Sequence, residues 1–340
     1  MDSRRVWKVL LAALLSLAAA QAWAQATVLR FNWWIPPNHL TRTKIMDVWA
    51  KQVDAATQGR VRIEFTATSL GAPPRQFDLV RDGVADLALG VHGYTPDRFV
   101  LPQVAELPFM SDSAEALSVA LWRTHAKFFA PANEYQGVKL IGLMSHGPGS
   151  LWSPKAPIRS LADLKGLKVR AGGGLQNEIL AKLGAAVVSA PAPQTFEILS
   201  RGVADATLFT NDAVASFGLG KLLKFNTRVP GGLFNSTFFV VINEGKWNGL
   251  SPQDRAAIEH LSGETFARLG GKAWDDTDRE VAATLAESQV VMPDAKFMDD
   301  LRDRLKGLEA QWIADARAKR AVDGAAAIAF MRAEIAGYRP

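Results

Sequence analysis

The 340-residue chain contains no cysteine. That absence excludes thiolate metal sites, cysteine nucleophiles and disulfide staples, and it spares an exported protein oxidative mispairing. A strong charge excess is missing too: the formal net charge is +5, and two units of it come from Arg4, Arg5 and Lys8 against Asp2. No arginine-rich run or interleaved basic and aromatic patch is present, so no nucleic-acid partner is expected. Beyond the amino terminus no segment approaches the roughly 18 uninterrupted apolar residues of a membrane span. The histidines (His39, His92, His125, His146, His260) form no i, i+4 pair and no metal-ligand spacing. His39, His92 and His146 follow predicted strands, where cleft residues lie. Neither a Gly-x-Ser-x-Gly elbow nor a Gly-x-Gly-x-x-Gly dinucleotide loop occurs. The expectation is a binding protein, not an enzyme, with no metal and no cofactor.

What is present begins with an export signal, read over residues 1–26. Arg4, Arg5 and Lys8 form a basic start, Val9 to Ala20 an apolar stretch, and Ala22-Trp23-Ala24 or Ala24-Gln25-Ala26 a small-residue cleavage site. Ser3-Arg4-Arg5-Val6-Trp7-Lys8 also fits a twin-arginine signal, so the route is Sec or Tat and the destination the periplasm.

Two stretches of the mature chain repeat one another. Phe77-Asp78-Leu79-Val80-Arg81-Asp82-Gly83-Val84-Ala85-Asp86 aligns with Phe196-Glu197-Ile198-Leu199-Ser200-Arg201-Gly202-Val203-Ala204-Asp205. A β-branched run and a proline turn precede each, and a short apolar run follows. This spells strand, turn, helix, glycine, strand: a βαβ crossover between parallel strands, with glycine just past the helix end. Two such units predict two α/β lobes with a cleft between them, where small ligands favour binding.

Walking onward, Val28 to Trp34 reads as the first strand and Val138 to Met144 as the last of the first lobe. His146-Gly147-Pro148-Gly149 reads as a flexible crossing and hinge. Ser160 to Gly166 is a short serine-capped helix, followed by a strand ending at Arg170. Gly172-Gly173-Gly174 reads as a turn that lets a ligand approach the backbone. Phe234 to Asn243 reads as a strand returning to the first lobe, after which the chain is mainly helical to about Ala336. The division expected is lobe I over 27–147 and 236–275, and lobe II over 148–235 and 276–340, with the carboxyl-terminal helices spanning both.

The segment Ile158-Arg159-Ser160-Leu161-Ala162-Asp163-Leu164-Lys165-Gly166-Leu167-Lys168-Val169-Arg170 closely resembles the signature of the solute-binding subunits of TRAP transporters. Leu70-Gly71, Leu107-Pro108-Phe109, Gly202-Val203-Ala204-Asp205, Ile242-Asn243, Trp247 and Leu250-Ser251 fit the same family. The resemblance implies a two-lobed α/β fold of the periplasmic binding protein kind (type II-like), with crossing strands and a long bracing helix. It also implies a monomer that docks on membrane permease subunits, and a strand-end arginine, here Arg170, that binds a ligand carboxylate. A planar, permanently charged guanidinium suits that task.

Departures from relatives that bind polyhydroxylated acids bear on the ligand. Ser150 falls where some carry a second arginine, and Phe209, close to Asn211, falls where they use an asparagine. Trp34, with Trp33 beside it, replaces a polar contact, and Ala72 and Val91 fall near positions that carry acids for sugar hydroxyls. Asn235 and Thr237 on the returning strand are candidate hydrogen-bonding partners. The pocket expected has one anion clamp and apolar walls. A hydroxyl against such walls loses its water partners at roughly 1–3 kcal/mol, whereas an aromatic or branched body gains about 25 cal/mol per Å² buried. The cargo expected is therefore an aryl or branched 2-oxo or 2-hydroxy monocarboxylate, with a sugar-acid or C4-dicarboxylate receptor as the first alternative and a periplasmic enzyme as the second.

Overall fold

Two β-sheets organise the computed structural model, which describes residues 26–286 and 289–339. The export signal read over 1–26 lies, but for its last residue, outside the described residues. The first sheet contains β1 (Thr27–Asn32), β2 (Val61–Phe65), β3 (Leu87–Val91) and β4 (Val138–Ser145). The second contains β5 (Ser150–Ser153), β6 (Lys168–Ala171), β7 (Ala186–Ser189), β8 (Ala206–Phe209) and β9 (Phe225–Thr227). The chain then returns through β10 (Thr237–Asn243) to the first sheet and through β11 (Val290–Val291) to the second. Spatial order is β2-β1-β3-β10-β4 in one and β11-β9-β5-β8-β6-β7 in the other.

The sequence repeat has a structural cause. In each lobe three parallel strands run in the order second, first, third: β2-β1-β3 matches β7-β6-β8. An antiparallel strand from across the molecule, β10 or β5, flanks the third. Gly83 and Gly202 close the two crossover helices at φ +75° and +68°, a conformation costly for side chains with a Cβ. Each motif aspartate then fastens its strand to the first one. Asp86 N–H donates to Arg30 O (3.0 Å) while its Oδ2 accepts from Arg30 N–H (2.8 Å). Asp205 does the same with Lys168, at 2.7 and 3.3 Å.

The bracing element is the helix Glu264–Ala282. It packs against the helix Ala114–Thr124, closely enough that a Cβ on Gly271 would lie 2.3 Å from Glu115 Cα. Its Asp275 caps that neighbour, accepting from Ala114 N–H (2.6 Å), Glu115 N–H (3.1 Å) and Ser113 Oγ (2.7 Å). Farther on, the helix Ala295–Leu305 packs on the second lobe, and Gly324–Gly337 packs on the helix Ala114–Thr124 of the first.

Three strands differ from the sequence reading. β5 and β9 occupy segments given no element in the sequence reading, and β11 falls in the stretch read as mainly helical. They run two to four residues, too short to display a two-residue alternation, and only pairing within the second sheet defines them.

Candidate functional site

A cleft with about 550 Å³ of empty space, part of it open to solvent, lies between the sheets at the carboxyl ends of their parallel strands. This is where open α/β sheets leave a crevice. Trp34, Ile35 and His39 reach it from the loop after β1, and Val91 and Tyr94 from the end of β3. Arg170, Gly172 and Gln176 come from the end of β6, while Leu208, Phe209, Thr210, Ala213 and Phe217 come from the end of β8 and beyond. His146, Phe234, Ser236 and Phe238 line it from the crossing segments, and Trp274 from the bracing helix. The walls are predominantly apolar and aromatic.

The signature segment delivers Arg170. Ile158 and Leu164 are buried beneath the second sheet, and Ser160 caps the helical turn Leu161–Leu164 by accepting from Asp163 N–H. The chain then enters β6, and Arg170 stands near its end with 3% of its surface exposed. Arg170 Nε and Nη2 donate to Ala190 O at 2.9 and 2.6 Å, and Nη1 donates to Leu208 O at 3.2 Å. Those carbonyls lie on the chain segments flanking β6 on either side. A guanidinium carries five N–H donors, so one N–H on each Nη is left without a main-chain partner. Among the described residues no carboxylate lies within salt-bridge distance of it. Burial lowers its pKa to about 10, still well above neutrality. A buried cation without a counter-ion costs several kcal/mol, and a carboxylate placed against the guanidinium relieves that cost.

The other polar groups facing the cavity are largely committed. Trp34 Nε1 donates to Leu89 O (2.8 Å), fixing the indole against β3. Gln176 accepts from Gly172 N–H (2.8 Å) and donates to Ser236 Oγ (2.9 Å). His146 donates from Nδ1 to Gly147 O (2.5 Å) and accepts at Nε2 from Ser236 N–H (2.8 Å). Burial pulls its pKa down to about 4 and that of His39 to about 3, so both imidazoles are neutral at pH 7. Tyr94 Oη accepts from Ala192 N–H across the cleft (3.0 Å). Burial pushes its phenol up, and the neighbouring Arg170 charge offsets part of that rise.

Of the residues singled out in the sequence, Arg170, Trp34, Phe209, Val91, His39 and His146 line this cavity, with the Arg170 guanidinium 5.3 Å from the Phe209 ring centre. Ala72, His92, Trp33, Ser150, Asn211, Asn235 and Thr237 do not. Trp33 turns to the opposite face, against Phe31 and Phe65. Ser150 is buried in β5, opposite Phe209 in the ladder. Asn211 accepts from Asn226 Nδ2 (2.8 Å), and Asn235 donates to His146 O and Gly147 O (2.9 and 3.0 Å). Thr237 donates its N–H and hydroxyl to Glu106 Oε1 (2.9 and 2.7 Å) and meets His92 Nδ1 (2.8 Å). Asn211 Oδ1, Asn235 Nδ2 and the Thr237 hydroxyl are occupied by internal bonds, which a sequence does not display, while Asn235 Oδ1 is buried without a partner. Tyr94, Gln176, Ser236, Phe217, Phe234, Phe238 and Trp274 were not singled out; they converge from separate elements without a local pattern.

The glycine turn needs correction. Gly173 and Gly174 adopt φ +112° and +53°, and a Cβ on Gly173 would sit 2.6 Å from Gly93 O. What approaches this backbone is the other lobe, and of the three glycines Gly172 alone lines the cavity.

A cleft between two matched α/β lobes, with a buried arginine at its base, defines a receptor for a small organic anion. Residues 31–313 match the profile of the bacterial extracellular solute-binding proteins, family 7, and the chain belongs to that family. It is 36% identical to the outer membrane transporter protein TsaT of Comamonas testosteroni over 99% of both chains. Among solved structures it resembles a TRAP periplasmic solute-binding protein of Bordetella bronchiseptica holding (R)- and (S)-mandelate (36% identity, TM-score 0.89, covering 91% of this chain and 99% of that one). It also resembles a TRAP solute-binding protein of Rhodoferax ferrireducens with copurified benzoate (28%, 0.84, 92% and 98%). A third, from a marine metagenome, holds 3-hydroxybenzoate (32%, 0.85, 93% and 99%). Members of the family are solute receptors, and the chain is the binding subunit of a TRAP-type system.

Proposed function

We propose that the chain captures an aromatic monocarboxylate in the periplasm and hands it to the permease subunits of its transporter. The observation that carries this reading is Arg170: a buried guanidinium with no carboxylate partner among the described residues, lining a cavity of aromatic walls. Arg170 is the one Lys or Arg among the lining residues, which favours one carboxylate over two. Trp34, Phe209 and Val91 supply apolar area for the body of the ligand, while a polyhydroxylated acid would strand its hydroxyls at roughly 1–3 kcal/mol each. The three structures cited above, with mandelate, benzoate and 3-hydroxybenzoate bound, support the same class.

Closure follows from differential contact. A ligand touching both lobes only when they are shut shifts the population toward the shut form. The lobe division stays at 27–147 with 236–275, and 148–235 with 276–340, with the hinge at His146 to Gly149. The distribution of strands between the two sheets supports it. Export follows from the amino-terminal signal, and sequencing the amino terminus of the mature protein tests that.

Calorimetric titration tests the specificity. Benzoate, mandelate and 3-hydroxybenzoate are expected to bind at micromolar Kd or tighter, with glucuronate and succinate at least a hundredfold weaker. Tight binding of glucuronate with none of the aryl acids overturns the assignment.

A further inference from the structure

We infer that Tyr94 is the first lobe's half of the carboxylate clamp, a positioning residue that donates its hydroxyl proton to the anion Arg170 holds. The inference rests on the proposed carboxylate reading and adds how the anion is sensed by both lobes at once. Tyr94 ends the single turn His92–Tyr94 that follows β3, in the first lobe. Arg170 ends β6, in the second. The tyrosine side chain spans the cleft: Oη accepts from Ala192 N–H at 3.0 Å, and the hydroxyl lies beside the guanidinium. Gly172 lies against the ring: a Cβ there would sit at ordinary contact distance, 3.5 Å, from Tyr94 Cε1. Trp34 holds the other side, with ring centres 5.9 Å apart.

The donor count favours a ligand role. The hydroxyl accepts from Ala192 N–H and lies in hydrogen-bonding contact with the Arg170 guanidinium, yet its proton meets no acceptor among the described residues. Beyond its bonds to Ala190 O, Leu208 O and Tyr94, the guanidinium keeps an N–H without a partner. Two donors, one from each lobe, therefore converge on one end of an otherwise apolar cavity, beside a full positive charge. A carboxylate, with two oxygens and about four lone-pair sites, accepts both. Because Tyr94 and Arg170 belong to different sheets, this shared grip exists only in the shut form, and the anionic head itself drives closure.

The test compares wild type with Tyr94→Phe, which keeps the ring and its packing. Benzoate binding is measured by calorimetry and stopped flow, closure by small-angle scattering at saturating benzoate, and ligand-free melting separately. The expected result is a Kd weakened roughly 10- to 100-fold, the loss of one hydrogen bond to a charged group, carried mainly by faster dissociation. The ligand-free melting temperature stays within about a degree, and the saturated variant remains more extended than wild type. A merely structural tyrosine would lower the melting temperature and leave closure at saturation intact. Ala192→Pro removes the N–H that orients Oη at a position whose preceding residue is already extended (Pro191 ψ 154°), and it is expected to weaken binding several-fold. Wild type binding benzoate with Tyr94→Phe within threefold of it overturns this inference alone. Wild type binding no carboxylate overturns both.

Discussion

His39 Nε2 lies 3.3 Å from Asp212 Oδ2, each buried, one side chain from either lobe. Thr41 N–H donates to His39 Nδ1 (3.1 Å), so the imidazole proton sits on Nε2, the nitrogen on the Asp212 side. Burial pushes Asp212 up to about 7 and the nearby Asp278, itself raised by burial and by Asp212, to about 7.

A pH dependence follows, and its sign can be worked out. A group whose pKa is raised in the folded, shut form stabilises that form fully below its ordinary value, 3.8, and loses this as pH rises through 7. The depressed histidines act oppositely, adding stability as pH rises toward 6.5. Comparing wild type with Asp212→Asn cancels the histidines. Wild type is expected to lose about 2–3 kcal/mol relative to the variant between pH 5 and 8. Urea unfolding across that range, with ligand bound, checks it, and parallel pH curves would count against the pair.

Arg170→Ala should reduce benzoate affinity by at least a hundredfold, since removing one partner of a buried ion pair costs about 3–5 kcal/mol. Ligand-free stability should be unchanged or slightly raised, because a buried charge has gone. Calorimetry and thermal melting separate the two, and micromolar binding retained by the variant would refute the clamp.

Gly173→Ala should hinder closure. Its Cβ would meet Gly93 O at 2.6 Å, and φ +112° is strained for alanine. Expected outcomes are a tenfold or greater loss of affinity and a scattering profile that stays extended with ligand. Wild-type compaction in this variant would mean that the lobes do not meet there.

Asp86→Ala should destabilise the first lobe by about 1–3 kcal/mol, the cost of leaving the part-buried Arg30 N–H unpaired. Ligand affinity measured on folded protein should remain near wild type, because Asp86 stands at the start of β3, away from the cavity. Chemical denaturation gives the first quantity and calorimetry the second.

Legibility in the sequence followed locality. The two lobes could be read because Gly83 and Asp86, and their counterparts Gly202 and Asp205, do their work within one crossover and its neighbour strand. Arg170 could be read because a contiguous segment carries it. Trp33 and Trp34 could not be told apart: both lie just past β1, where alternation has ended, and the bond from Trp34 Nε1 to Leu89 O decides which ring faces the cavity. Asn235 and Thr237 are polar residues on the return path that look available until their internal partners are known. Tyr94 and Trp274 reach the cavity from remote elements, and only the assembled chain brings them there.

The two carbonyls that grip Arg170 have one more implication. Ala190 O and Leu208 O hold the guanidinium from both sides, so little rotamer entropy remains to be lost when an anion arrives. The head group then contributes a nearly constant increment across any series of monocarboxylates. Ranking within such a series is left to the tails, and affinities should climb with the hydrocarbon area each one hides.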